Sequence, residues 1–202
     1  MTLPDGLVVV TPVPRERARP LSPEERRAMI IDAVLPLVKE RGRDVSTKEI
    51  ADAAGVAEGT IFRAFGDKES LIDAAVAKLL DPLPLRAALR GIDRDLPLEQ
   101  KLNDILFHLR ARFFGVFGIM TALGIKERPP IPRTPGEEWV DIIADLLAPN
   151  SDELTMPIET VAHYLRLVAF ASSVPPFNEN YTFHNDELAR LIAHGVAGKK
   201  KN

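Results

Sequence analysis

The chain has 202 residues, a formal net charge of −3, 46% hydrophobic residues and 6% aromatic residues. There is no cysteine, which excludes disulfides, thiolate metal sites and a cysteine nucleophile. The length suits one large domain or two small ones, and the charge balance does not by itself announce a nucleic-acid partner.

Residues 1–21 read as a flexible arm, Pro-rich and carrying Arg15, Arg17 and Arg19. Its apolar run, Leu7 to Val10, is too short for a signal sequence and is followed at once by Pro12 and Pro14. A first helix is predicted from Ser22, where Ser22 and Glu25 form a capping box around Pro23. Ile30, Ile31, Val34 and Val38 give it an apolar stripe, Gly42 a stop, and Pro36 an expected kink. A second box, Ser46 with Glu49, opens a helix to about Ala54, and Val45 and Ile50 sit where a hydrophobic staple would. Gly55 permits a tight turn with positive φ. A third helix covers roughly Glu58 to Phe65. A fourth runs from the N-cap Asp67 to about Leu80, where Asp81-Pro82 ends it.

The rest also reads as helices. A short piece spans Leu83 to Gly91. A long one spans Leu98 to Ile125, with breaks expected near Gly115 or Gly118. Glu137 to Leu147, Ile158 to Ser173 and Asn185 to Val196 follow, separated by Pro-rich or polar loops. The 13-residue run Phe113 to Ile125 is too short to span a bilayer and predicts a buried helix. The fold class is therefore all-α.

Within Thr47 to Gly66, the apolar positions Ile50, Ala54, Val56, Ile61 and Ala64 form one seam, with Ala51 at the crossing and Gly55 at the reversal. This is helix-turn-helix spacing, which leaves one face of the second helix free to enter a major groove. Residues 1–70 hold 11 Lys or Arg against 12 Asp or Glu, so any DNA footprint must be a local one.

The run GVAEGTIFRAFGDKESLIDAAV resembles the N-terminal domain of TetR-family transcriptional regulators, and the likeness covers about residues 22–80. Ala57 departs from the family pattern by replacing a common capping Ser, Phe62 by replacing a Tyr, Ala64 by replacing a bulkier residue, and Glu58 by placing an acid near DNA. Side-chain chemistry and family position together assign the contacts. Thr47 and Lys48 suit a phosphate at the start of their helix. Thr60 suits a phosphate or a thymine methyl, Phe62 a sugar or methyl, and Arg63 a guanine. Lys68 suits a phosphate clamp, and Arg15, Arg17 and Arg19 a minor groove.

The resemblance implies three segments: the arm at 1–21, a three-helix DNA-binding domain at 22–81 with its helix-turn-helix at 46–65, and a larger helical effector-binding and dimerisation domain at 82–202. For the effector pocket the candidates are Phe113, Phe114, Phe117, Met120, Trp139 and Phe170, with His108 and Arg112 as polar handles. Gly115, Gly118 and Gly124 would leave it room. The dimer interface is expected along Ile158, Val161, Leu165 and Val168, and along Leu188, Leu191, Ile192 and Val196. Glu159 and His163 are spaced to share a metal, but no further ligand pair accompanies them, and no nucleophile elbow, P-loop or dinucleotide motif is present. No cofactor, metal or membrane partner is expected. The expected protein is a cytoplasmic homodimeric repressor, not an enzyme, that leaves a palindromic operator on binding a small apolar ligand. The alternative is a helical ligand-binding protein of the same fold with weak or lost DNA binding.

Overall fold

The structure is a computed structural model that describes residues 21–125, 138–175, 177 and 179–195. Among these residues the regular elements are helical. They are α1 (Pro23–Arg41), α2 (Thr47–Ala54), α3 (Glu58–Phe65), α4 (Lys68–Leu80), α5 (Leu83–Arg90), α6 (Leu98–Ala122), α7 (Glu138–Leu147), α8 (Ile158–Ala171) and α9 (Asn185–His194), with 3₁₀ turns at Gly42–Asp44 and Ala148–Glu153. The arm with Arg15, Arg17 and Arg19, the Pro-rich loop before α7, and Val196 lie outside the described residues.

Both capping boxes form. Ser22 Oγ accepts from the Glu25 N–H at 3.1 Å while the Ser22 N–H donates to Glu25 Oε2 at 2.7 Å. Ser46 and Glu49 repeat the exchange at the head of α2. Pro36 lies inside α1, which continues through it as one element. Likewise α6 is unbroken across Gly115 and Gly118. The expected breaks are absent because α6 is held along its length by packed neighbours, and tertiary contact outweighs the cost of a helical glycine.

Two cores are present. In the first, Ile30, Val34 and Val38 of α1 meet Ile50, Ala51, Ile61 and Phe65 of the α2–α3 pair and Leu71, Ile72 and Ala75 of α4. Ile119 and Leu123, from the end of α6, complete it. The apolar core of residues 22–81 is thus closed by a helix from beyond residue 82. Gly42 shows how tight that junction is. It has φ +60°, and a Cβ there would lie 2.2 Å from the Ala122 carbonyl oxygen, so only glycine lets α1 end against α6.

The second core gathers the first two-thirds of α6 with α5, α7, α8 and α9, around Leu102, Ile105, Leu106, Ile143, Leu147, Leu165 and Leu188. Lys101 is fully buried in it; its Nζ donates to the Leu146 carbonyl at 3.2 Å and to Asn150 Oδ1 at 2.6 Å, which places a cation at the C-terminal end of α7. By length and mean hydropathy α6 passes the test for a membrane-crossing helix. It carries Lys101, Asp104, Arg110 and Arg112, however, and it serves as the spine of both cores.

Candidate nucleic-acid interface and effector cavity

The α2–α3 pair is a helix-turn-helix. Gly55 adopts φ 64°, ψ 34°, the left-handed conformation that a reversal this short requires. Ile50 and Ile61 are both fully buried along the shared seam. The opposite edge of α3 faces outward: Phe62 is 47% exposed, Arg63 is exposed and Thr60 is half-buried. Arg63 Nη2 donates to Thr60 Oγ1 at 3.2 Å, so the guanidinium is aligned along the helix edge.

The departures from the family pattern have structural consequences. Ala57 occupies the N-cap of α3 and supplies no side-chain hydrogen bond, which forgoes about 1 kcal/mol of capping. Glu58, in the first turn of α3, accepts a hydrogen bond from the Thr47 hydroxyl. Thr47 therefore joins the two helices and its hydroxyl is already committed. Lys48 beside it is exposed.

Lys68 is placed differently from the expectation. It is half-buried, and its Nζ donates to the Arg43 carbonyl at 2.7 Å. The ammonium ties the start of α4 to the turn after α1. Asp67 caps α4 by accepting from the Ser70 N–H at 2.7 Å, and that bond holds its carboxyl below the usual aspartate range.

Arg26 and Arg27 were not anticipated. A notch beside α3 is lined by Pro23, Arg26, Arg27, Val56, Ala57, Thr60, Arg63 and Ala64. Arg27 donates to the Ala64 carbonyl and stacks its guanidinium 4.2 Å above the Phe65 ring. Arg26 donates to the Leu21 carbonyl at 3.3 Å. In the sequence these arginines follow Glu24 and Glu25, and that acidic pair hid them from any count of charge along the chain.

The effector candidates separate into two groups. Arg112, Phe113, Phe117, Met120 and Phe170 line one cavity of about 670 Å³, together with Val116, Thr121 and Ile125, Leu80 at the end of α4, and His163, Arg166 and Leu167 on α8. His108, Phe114 and Trp139 do not. His108 lies one turn nearer the start of α6, edge-on to Phe107 at 5.3 Å. Phe114 falls on the other side of α6, beside Lys39–Gly42 and Ser173. Trp139 stands behind the wall, edge-on to His163 at 5.5 Å and beneath the Arg166 guanidinium at 5.2 Å. A Cβ at Gly118 would meet the flexible end of Lys39 at 2.9 Å, and one at Gly115 would make ordinary contact with Leu79 Cδ1 at 3.6 Å.

The expected dimer stripe also needs correction. Leu165 and Leu188 are buried within the chain, and Ile158, Val161, Val168 and Ile192 pack against the same core. Their helical spacing marks the inward faces of α8 and α9. The apolar side chains that α8 turns outward are Tyr164, Leu167 and Phe170, at 50%, 62% and 40% exposure, and α9 adds Leu191 at 38%. Among the described residues, no three or more His, Asp or Glu gather to hold a metal ion.

A family model described as "Bacterial regulatory proteins, tetR family" matches residues 30–75, which span most of α1 through α4. The chain is 39% identical over 59 residues to the HTH-type transcriptional repressor KstR2 of Rhodococcus jostii, a match that spans 29% of each chain. It is 44% identical over 50 residues to the HTH-type regulator YvkB of Bacillus subtilis, covering 24% of this chain and 26% of that one. The chain thus matches less than a third of the length of these curated relatives, all of it at the helix-turn-helix end. The whole fold is similar to a TetR transcriptional regulator from Streptomyces coelicolor, with TM-score 0.56 at 22% identity over 86% of this chain and 99% of that one. The N-terminal helix-turn-helix domain thus resembles the DNA-binding domain of the tetR family of bacterial regulatory proteins, and the chain as a whole shares the fold of solved regulators of that kind.

Proposed function

We propose that the protein is a cytoplasmic repressor that binds a palindromic operator as a homodimer and lets go when a small molecule occupies the α6–α8 cavity. The observation that carries the reading is the outward Thr60–Arg63 edge of α3, with Arg63 already aligned on Thr60. Arg63 would read a guanine through its fork of donors, and Phe62 would meet a thymine methyl or a sugar. Arg26, Arg27 and Lys48 would set the helix on the phosphates. The outward apolar stripe of α8 supports a two-fold partner, which would present two α3 helices at half-sites about 34 Å apart. Release on effector binding would follow from a change in that spacing.

Titration of a preferred duplex at several salt concentrations tests this. Arg63→Ala should relax discrimination at one base position by about 1–3 kcal/mol. Arg26→Gln should weaken all sequences alike and reduce the slope of log K against log salt by about one. If both variants kept wild-type affinity, preference and slope, α3 would not be the reading helix.

A further inference from the structure

The head of α3 presents a single functional group. Ala57, Glu58 and Gly59 are all exposed, and of the three only Glu58 carries a side chain beyond Cβ. Gly59 has no conformational or packing reason to be glycine. Its φ is not positive, and a Cβ added there would meet nothing within 4 Å among the described residues. Glycine inside a helix is destabilising relative to alanine, so helix stability is forgone where nothing of the chain's own comes near. A bare helix surface of that kind admits close approach from outside, and the Glu58 carboxylate stands next to it.

That carboxylate is held in place. One of its oxygens accepts a hydrogen bond from the Thr47 hydroxyl at the start of α2. The other has no hydrogen-bond partner among the described residues. A carboxylate is an acceptor only. In the major groove the donors are the amino groups of cytosine and adenine, whereas guanine and thymine turn acceptors to the same place. Adenine sets its N7 acceptor beside its amino group and so opposes a second carboxylate oxygen; cytosine does not. An acid here also repels the phosphates of every duplex alike. It lowers affinity in general, and a cytosine contact restores it at the right site.

We propose that Glu58 is a specificity residue: it reads the amino group of a cytosine in each half-site and weakens binding to duplexes that lack it. This rests on the reading of α3 as the DNA-reading helix. Arg63 lies more than a helical turn further along α3, so the base that answers to Glu58 differs from the guanine read by Arg63. Thr47 is the positioning residue, since its hydroxyl fixes the carboxylate before DNA arrives.

The test selects bound duplexes from a random pool with the full-length wild type, Glu58→Gln, Glu58→Ala and Thr47→Val. Affinity is then measured for the enriched site, with each base in turn at each position, and for an unrelated duplex. The wild type should favour cytosine at one position per half-site by about tenfold over guanine or thymine. Glu58→Gln keeps the shape and can still accept from Thr47. It should move the preference at that position to adenine, the base that a glutamine amide pairs with. Glu58→Ala should accept any base there and bind the unrelated duplex about two- to fivefold tighter at low salt. Thr47→Val should keep cytosine as the preferred base with a smaller ratio. If Glu58→Gln and Glu58→Ala kept the wild-type preference at every position, Glu58 would be only a brace between α2 and α3. The inference would then fall while α3 remained the reading helix. If the wild type enriched no motif, or one indifferent to both Glu58 and Arg63, both would fall. A wild-type motif made of A·T pairs, apart from the pair lost in Arg63→Ala, would also overturn the inference, and that result needs no Glu58 variant to fold.

Discussion

A side chain's partner decides its role more firmly than its type does. Lys68 and Arg63 are both cations near the helix-turn-helix, yet Lys68 spends its ammonium on the Arg43 carbonyl while Arg63 lies along an exposed edge. Lys68→Met should therefore lower stability by about 1 kcal/mol, the loss of one charge-assisted hydrogen bond at a half-exposed site. Chemical denaturation measures this, and the salt slope of DNA binding should stay at its wild-type value. A reduced slope would restore Lys68 as a phosphate contact. The sequence shows that a lysine follows the α4 cap. It does not show that the 3₁₀ turn after α1 brings a carbonyl within reach, because that proximity depends on the crossing of two helices distant in the chain. Arg26 and Arg27 escaped notice for a related reason: acids next to them in sequence balance their charge on paper, whereas in space they stand beside α3.

Among the elements, those that begin with a side-chain cap were the most legible. Ser22 with Glu25, Ser46 with Glu49, and Asp67 all stand where the sequence places them, because a cap is a local hydrogen bond between residues three apart. Asp67 also makes α4 sensitive to acid. Its carboxyl lies below the usual aspartate range because the Ser70 N–H bonds the charged form. Stabilisation from such a depressed group is present above the ordinary aspartate range and is lost as pH falls through the folded-state value below it. Asp67→Asn keeps a capping oxygen but cannot titrate. The Tm gap between wild type and this variant, measured from pH 7 downward, should close as the solution turns acidic. A gap that stayed constant with pH would mean that the cap is not the titrating feature. Where a cap is absent the sequence misled: the α6 glycines suggested breaks, but packing holds that helix continuous.

At the scale of the whole molecule, periodicity located the apolar faces of α8 and α9 but not what covers them. Ile158, Val161, Leu165 and Val168 follow helical spacing because they face their own core. Tyr164 and Leu167 were not among the expected interface residues and Phe170 was expected in the pocket, yet together they form the outward stripe. The two faces respond differently to change. Leu165→Ala should cost about 2–5 kcal/mol of protomer stability, as large-to-small core changes do. Leu167→Glu should leave the protomer fold intact and shift sedimentation from dimer to monomer. If Leu167→Glu sedimented as wild type did, α8 would not be the partner surface.

The central claim is that two copies of α3, held by one two-fold axis, read DNA with their Thr60–Arg63 edges. Selection of bound duplexes from a random pool by the wild-type protein tests it most directly. The account predicts enrichment of an inverted repeat with half-sites about one helical turn apart, and loss of one conserved position per half-site when the pool is selected with Arg63→Ala. A pool that shows no enriched motif, or one whose motif lacks two-fold symmetry and is indifferent to Arg63, would contradict it.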